Sequence, residues 1–409
     1  MAETEQRTRP FRMFSTLRRR VWYEHVKARL LGRLGWKVAW VTSGAPVEIL
    51  LAFDILPLYP ENHSAICSAR HLGERLKGVS VKEGFNPDLC SYGHIDVGSI
   101  VTGQSPVGGL ARPDILFCCN NICSTVLKWY QSLGRYFDAP LVLIDTPFLN
   151  DALPPGDPPP GHTVAYVQRQ LEEAIAALEK ITGRRFDEKK FEKILRRSRT
   201  AIGLWLEVLS MAKARPSPIT CFDAFVHMSP IVTLRGTQAA VSYYEALLGE
   251  MKERVRDGVV AVPGEKLRIV WDNIPVWYKM KDLSRYFRQR GICLVADTYT
   301  IAWAEHVLPE TATLREIASI YTGIFLNRGL RSKAARMAGL VRDFGADAFV
   351  VHSNRSCKPY SFGQYDIVRL VSEQTKKPGV VIEADHADPG AFSDGQVFGK
   401  LDAFLDTIG

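Results

Sequence analysis

The sequence predicts an α/β protein with two parallel-sheet, doubly wound-like domains joined by a helical section. Three observations predict it. Short apolar runs bounded by Gly, Pro, Asn or Asp alternate with stretches of helical spacing in both halves of the chain. A Pro-rich linker, DALPPGDPPPGH, precedes a middle section rich in Glu, Lys, Arg and Leu. In each half a thiol stands just past a predicted strand, where parallel α/β units carry their chemistry.

In chain order, residues 1–35 predict a basic, largely exposed N-terminal helical extension. The first α/β domain spans 36–160. It opens with a strand at 36–41, then a loop holding Ser43, then a helix at 46–53 with Pro46 suited to its first turn. A second strand at 55–59 leads to Glu61. Cys90 stands near a helix start. The unit at 114–145 is strand, sulfur-rich loop, helix and strand: 114–118 is apolar, Cys118, Cys119 and Cys123 are assigned to the loop, 124–137 has helical spacing with Val126, Leu127, Tyr130 and Leu133 on one side, and 139–144 is apolar again. A helical connector spans 161–262, with two long helices over 163–213 and shorter ones near 222–228 and 238–255. The second α/β domain spans 263–409, with strands at 267–271, 292–296, 348–352 and 379–383. Helical stretches lie at 276–290, 308–326, 332–344 and 397–408.

Length and composition exclude several classes. The 409 residues suffice for two or three domains, and 46% hydrophobic with 23% charged residues is ordinary globular composition. No apolar run is long enough for a membrane span. The opening MAETEQ lacks an apolar core, so no secretory signal is expected, and the Arg-rich stretch after it continues into an ordinary surface helix. The net charge of +8 comes from basic residues that are spread rather than striped and lack interleaved aromatics, which argues against nucleic acid. An anionic small ligand such as coenzyme A, or an acidic partner, accounts for it as well. Eight cysteines in a chain of this length are not a disulfide scaffold. The reading is a reduced, cytoplasmic protein.

Cys90, Cys123 and Cys357 stand in comparable polar loops beside helix starts. Three thiolates would leave one corner of a four-iron cubane free. Zinc is the competing metal, although the C-x-x-C pair that usually accompanies it is absent. By spacing alone, buried inert cysteines explain the pattern too. Ser43 reads as a turn or cap residue and Glu61 as a surface carboxylate. Neither a G-x-x-x-x-G-K-[ST] phosphate loop nor a G-x-G-x-x-G fingerprint is present.

The segments FDILPLYPENHSA, PDLCSY, CCNNICSTVLKWY, LVLIDTPF and NRSCKPYSFGQYD occur in this order. From about Trp36 to the C-terminus they resemble the benzoyl-CoA reductase and 2-hydroxyacyl-CoA dehydratase family. The resemblance implies a 4Fe-4S iron–sulfur cluster held by Cys90, Cys123 and Cys357. It implies catalytic roles near the open iron for Ser43 and Glu61. It implies a heterodimer with a homologous second subunit, an ATP-dependent iron–sulfur activator or electron donor, and an acyl-CoA substrate. Cys67, Cys118, Cys119, Cys221 and Cys293 fall off the ligand positions, with Cys119 close enough to tune the cluster. His352 and Tyr360, flanking Cys357, are candidate proton donors whose ordinary reading is loop packing.

The resemblance implies a single-electron reduction of an aromatic acyl-CoA of the benzoyl-CoA reductase type, favoured because the Cys357 loop reads CKPYSFGQYD. The alternatives are a subunit of an (R)-2-hydroxyacyl-CoA dehydratase that eliminates water through a ketyl radical, a non-catalytic electron-relay or scaffold subunit, and a double-cubane reductase.

Overall fold

Short apolar runs make strands here, and they are buried on both faces because helices cover both sides of each sheet. The structure is a computed structural model that describes residues 7–305, 308–309 and 311–408. Residues 1–6 of the expected N-terminal extension lie outside these. Helix α1 spans Met13–Arg33. There follow β1 (Val38–Val41), α2 (Val47–Ala52), β2 (Leu56–Leu58), α3 (Pro60–Ala69), α4 (Gly73–Lys82), α5 (Ser91–Thr102), β3 (Ile115–Cys119), α6 (Thr125–Phe137) and β4 (Leu141–Ile144). The four strands form one all-parallel sheet in the order β2-β1-β3-β4. Ala39 is in register with Ile115, and Phe117 with Val142.

Two expectations change in this half. Cys118 and Cys119 are not loop residues but the last two residues of β3, fully buried. The buried stripe of α6 is Val126, Trp129, Tyr130 and Leu133, with Leu127 only half-buried. In addition, residues 60–102 form three helices where spacing showed only a helix start after Cys90. The reason is physical: α3 buries Glu61, His63, Ser64 and Ser68, and α5 buries Ser91, His94, Asp96 and Ser99. Faces that bury polar groups leave no apolar periodicity to read. The helices α4 and α5 also pack backbone to backbone, since a Cβ on Gly98 would lie 2.1 Å from the Leu76 carbonyl oxygen.

The middle section contains α7 (Gly161–Thr182), α8 (Glu188–Ser210), α9 (Cys221–His227), α10 (Ser229–Thr233) and α11 (Gln238–Arg256). Asp187 caps α8 by accepting from the Lys190 N–H at 2.9 Å, and a Thr220–Asp223 capping box starts α9. The apolar stripe of α7, including Val167, Leu171 and Leu178, packs on the first sheet beside Ala39, Val41 and Phe117. The second half holds β5 (Leu267–Asp272), α12 (Met280–Gln289), β6 (Ile292–Asp297), α13 (Thr298–Ile301), α14 (Leu314–Thr322), α15 (Leu330–Asp343), β7 (Ala348–Asn354), α16 (Gln364–Thr375), β8 (Gly379–Ala384) and α17 (Asp394–Leu405). Its all-parallel sheet has the order β6-β5-β7-β8. The helix expected over 308–326 is confined to α14; residue 310 lies outside the described residues. Its buried face, Ile317, Ala318 and Tyr321, returns to the core of the first sheet. No helix among the described residues is long and apolar enough to cross a membrane.

A buried ion pair sits where these parts meet. Arg235 Nε donates to Glu48 Oε1 at 3.0 Å, and both side chains are almost fully buried. Ser198 on α8 donates to the same oxygen at 2.8 Å, and Tyr321 on α14 donates to Oε2 at 2.7 Å. Arg235 also donates to the Ala45 carbonyl at 3.0 Å. Burial alone would raise the Glu48 carboxyl, but Arg235 and the two hydroxyls outweigh it and hold it below the usual carboxylate range. Arg235→Met leaves that carboxylate buried and uncompensated. The expected loss is about 3–5 kcal/mol, read as a lowered urea midpoint. The double variant Glu48→Gln with Arg235→Met is expected to recover part of it.

Candidate functional site

All strands of a parallel sheet release their loops at one edge, so residues remote in sequence meet there. Ser43 follows β1, Glu61 follows β2, Cys123 follows β3, Cys357 follows β7 and His386 follows β8. All five, with Cys90 at the start of α5, line one cavity of about 920 Å³. Its wall also includes Tyr92, Trp277, Tyr299 and Tyr360. The sequence-predicted site residues Ser43, Glu61, Cys90, Cys123 and Cys357 are thus brought together from both halves of the chain.

The Ser43 loop and the Cys123 loop are clasped to each other. Thr42 Oγ1 donates to the Cys119 carbonyl at 3.2 Å and accepts from the Cys119 N–H at 2.8 Å. Asn121 Nδ2 donates to the Gly44 carbonyl at 2.9 Å and to the Tyr321 carbonyl at 2.8 Å. A Cβ on Gly44 would lie 2.6 Å from Asn121 Oδ1 and 2.5 Å from Ile122 Cγ2, so only glycine permits this approach.

Ser43 and Glu61 form a pair. The Ser43 N–H donates to Glu61 Oε2 at 3.1 Å, and the Ser43 hydroxyl donates to the same oxygen. Glu61 is 8% exposed, and its Oε1 has no partner among the described residues. Burial raises its carboxyl to about 8, with the Ser43 N–H pulling the other way. At neutral pH it is therefore mostly a neutral acid on the cavity wall, with Oε1 unengaged. The surface-carboxylate reading does not hold, because Pro60 starts α3 with Glu61 turned beneath the cavity rather than outward.

The three thiols are half-buried and free. Burial raises Cys90 to about 12 and Cys123 to about 11, and raises Cys357 well beyond the ordinary thiol range. Mutual repulsion contributes: Cys123 raises Cys90, and both raise Cys357. Helix-start N–H groups oppose it, from Tyr92 and Gly93 at Cys90, Thr125 and Val126 at Cys123, and Tyr360 at Cys357. Three thiols that repel one another when ionised, each with amide donors aimed at it, are a donor set that needs a compensating cation. This chemistry fits an iron–sulfur cluster.

Further residues shape the site. Asp385 accepts from the Ser356 N–H at 2.9 Å and so orders the Cys357 loop. His386 Nε2 lies 4.0 Å from Cys90 Sγ, its Nδ1 bonds Asn354 Oδ1 at 2.9 Å, and its ring packs edge-on against Tyr92 at 4.2 Å. Trp277 Nε1 donates to the Tyr92 hydroxyl. Sequence reading missed His386, Tyr92, Trp277 and Tyr299. His386 and Tyr299 carried a usable signal, each standing two residues past a strand.

The two candidate proton donors separate. Tyr360 lines the cavity, and its buried hydroxyl has no hydrogen-bond partner of good geometry among the described residues. His352 sits within β7, off the cavity wall, with Nδ1 at 2.8 Å from the Ile274 carbonyl. Burial lowers it to about 4, so it stays neutral and structural. Cys119 also departs from expectation. Strand alternation turns it into the core behind the sheet, with Sγ 3.5 Å from Thr146 Oγ1. It is Cys118 that faces the site's side, where Glu61 and Cys123 both raise its thiol after burial and Cys119 have done so. Cys221 and Cys293 lie in cores around the second sheet.

Comparison with known proteins identifies the family. The family profile described as "2-hydroxyglutaryl-CoA dehydratase, D-component" matches residues 42–408. The chain belongs to this family, which also takes in benzoyl-CoA reductase subunits. It is similar to lactoyl-CoA dehydratase subunit alpha of Anaerotignum propionicum, 32% identical over 389 residues, covering 91% of each chain. It is similar to the (R)-2-hydroxyisocaproyl-CoA dehydratase alpha subunit of Clostridioides difficile, 35% identical over 381 residues, covering 91% of this chain and 90% of that one. It is also similar to a benzoyl-CoA reductase subunit of Thauera aromatica, 27% identical over 375 residues, covering 88% of this chain and 86% of that one.

The Glu61 shift has a sign that can be measured. In the folded state the carboxyl holds its proton up to about pH 8, whereas the unfolded chain releases it near its ordinary value of 4.5. The stabilisation is therefore complete below that ordinary value and is lost as pH rises through the folded one. In metal-free protein, thermal unfolding of wild type and Glu61→Gln should diverge between about pH 5 and about pH 9, with wild type losing on the order of 3–4 kcal/mol relative to the variant. Parallel pH profiles would place Glu61 in water.

Proposed function

We propose that this chain is the cluster-bearing catalytic subunit of a 2-hydroxyacyl-CoA dehydratase, which removes water from an (R)-2-hydroxyacyl thioester. The observation that carries it is the Ser43–Glu61 pair on the same cavity wall as Cys90, Cys123 and Cys357. A relay or scaffold subunit has no use for a buried neutral acid beside its thiols. The lactoyl-CoA and (R)-2-hydroxyisocaproyl-CoA dehydratase subunits share more identity with this chain than the benzoyl-CoA reductase subunit does, while an (R)-2-hydroxyglutaryl-CoA dehydratase alpha subunit, at 25%, shares slightly less. Those relatives are named as subunits, which supports a partner subunit for this chain; in this reading the partner is a homologous chain and an ATP-dependent iron–sulfur protein supplies the electron.

Cys90, Cys123 and Cys357 would hold a 4Fe-4S cluster. Bound there, the cluster supplies a low-potential electron and an iron with a free coordination position. The chain's own residues handle the protons. Glu61, neutral at the start, gives its proton to the departing 2-hydroxyl, which leaves as water. The Ser43 N–H and hydroxyl, both directed at Oε2, stabilise the carboxylate that remains. That carboxylate then takes the proton lost from the neighbouring carbon as the double bond forms, which restores the acid. The electron delivered at the start returns, so no reductant is consumed per turnover. Aromatic walls from Tyr92, Trp277 and Tyr299 exclude water while this happens.

A second reading, reduction of an aromatic acyl-CoA, is favoured by the Cys357 loop and by Tyr360, a residue of the cavity lining. A reductase must add a proton for each electron delivered, and Tyr360 could donate it.

Iron and sulfide analysis of anaerobically purified variants is the first test. Cys90→Ala, Cys123→Ala and Cys357→Ala should each lose most of the iron, while Cys221→Ala keeps it. Glu61→Gln should keep its iron and lose turnover by roughly a hundredfold. Full iron retention in Cys357→Ala would remove the ligand assignment.

Counting reductant decides between the two reactions. With partner and activator supplied, a 2-hydroxyacyl-CoA should lose water with far less than one electron consumed per product. Two electrons consumed for each product formed from benzoyl-CoA, with no hydroxyacyl turnover, would establish the reductase instead.

A further inference from the structure

Helix α1 precedes the segment matched by the family profile, residues 42–408, yet it forms one wall of the cavity that holds the thiols. It is not the free surface helix its composition suggests. Both of its ends are anchored. Before it, Arg7 bridges to Val259, and Arg254 Nη1 donates to the Arg9 carbonyl at 2.6 Å. The Arg12 and Met13 N–H groups donate to the two oxygens of Glu250 at 2.7 and 3.1 Å. Towards its end, Arg29 Nη1 donates to the carbonyls of Val107 at 2.7 Å and Gly109 at 3.1 Å. Between these anchors Leu17 and Ala28 are buried.

Beside apolar residues such as Leu17 and Val21, and a Glu24 that pairs with Lys27 at 3.6 Å, α1 brings a cluster of cations to the cavity lining. Arg18, Arg19 and Arg20 line it in succession, and Arg70, just past α3, joins them. The side chains of these four arginines make no ion pair and no hydrogen bond among the described residues. Trp22 lines the same region and is 59% exposed, although it is among the largest apolar side chains in the protein. The deep end, by contrast, is aromatic and holds Ser43, Glu61 and the three thiols. One cavity therefore has a narrow-chemistry interior and a cationic, aromatic rim. A ligand matching both ends is anionic with a flat ring at one end and uncharged at the other.

We propose that α1 receives the nucleotide end of the acyl-CoA: Arg18, Arg19 and Arg20 pair with its phosphates and Trp22 stacks on its adenine, while the thioester end reaches Ser43 and Glu61. This rests on the acyl-CoA reading above and adds to it the element that recognises the carrier. Guanidinium groups suit phosphate because their donors match its oxygens in pairs. A cavity of about 920 Å³ lies at the upper end of ligand-site sizes, as an extended thioester requires. The arrangement also separates binding from chemistry. Binding energy from the phosphates, far from the reacting carbon, positions the acyl group against the acid.

The test is calorimetric titration of the full chain with two probes, coenzyme A and pantetheine, which lacks phosphate and adenine. Wild type should bind coenzyme A far more tightly than pantetheine. The triple variant Arg18→Gln, Arg19→Gln, Arg20→Gln keeps helix-forming residues and removes the charge. It should weaken coenzyme A binding on the order of a hundredfold and pantetheine binding less than about threefold. Trp22→Ala should weaken coenzyme A roughly tenfold. The triple Arg→Lys variant should keep part of the affinity and show a steeper loss with salt. Unchanged coenzyme A binding in the triple Gln variant overturns the role of α1 and leaves the acyl-CoA reading standing. Wild type that binds pantetheine and coenzyme A equally does the same. Wild type that binds neither overturns both.

Discussion

The buried pair of Glu48 and Arg235 is the contact on which the relative placement of the parts depends. Glu48 belongs to the helix that follows the Ser43 loop, Arg235 to the helical section, and Tyr321, which also bonds Glu48, to the segment that returns from the second half. Apolar packing between these elements tolerates sliding, since it is non-directional. A carboxylate in a dry space does not, because it must find its cation and its hydroxyls in one geometry. A buried pair of this kind contributes little net stability compared with an apolar replacement. We read its role as registration. It keeps the loop that carries Ser43 at a set position against the helical section and the return segment, and the Asn121 bonds to Gly44 and Tyr321 extend the same registration to the Cys123 loop.

With that geometry held, burial shapes the chemistry. The cavity is dry enough to keep Glu61 protonated at neutral pH and to keep three neighbouring thiols from ionising together. These are one effect seen on two groups: low polarity penalises negative charge. A proton relieves it at Glu61, and an iron-bearing group would relieve it at the thiols. The same dryness serves the reaction, because a carboxyl group works as an acid at neutral pH only when water does not stabilise its anion. The amide donors at each thiol and the two Ser43 donors at Oε2 are fixed dipoles aimed at the places where charge appears.

The N-terminal helix shows how composition can mislead about position. Its arginines and exposed aromatic residues read as a solvated basic surface. Tethering at both ends instead lays it along the cavity, so that its cations join the cavity lining. A charge run in water and a charge run at a cavity rim have the same sequence, and anchoring contacts far along the chain, at Glu250 and Val107, decide which it is.

Much of the fold was legible in the sequence. The strands β1 and β3 are continuous apolar runs, and β5 and β7 hold shorter ones at 269–271 and 348–351, because both faces are covered, and α6 to α8 show their stripes because one side of each meets water. The three thiols, Ser43 and Glu61 could be singled out because each follows a strand or starts a helix, and local spacing records that. The helices α3 and α5 could not be read, since their buried faces carry Glu, His, Ser and Asp in place of an apolar stripe. The assignment of Cys118 and Cys119 failed for a related reason: the strand runs to its last residue, and pleating alone decides which thiol faces the site. His386, Tyr92, Trp277 and Tyr299 come from four separate stretches, and only the meeting of the two sheets makes them neighbours. Sequence by itself determined the elements and the residue types at their ends, because those follow from local periodicity. Tertiary structure alone decided which ends face one another, which carboxyl is dry and which helix walls the cavity, because burial and electrostatic coupling depend on residues that no local pattern connects.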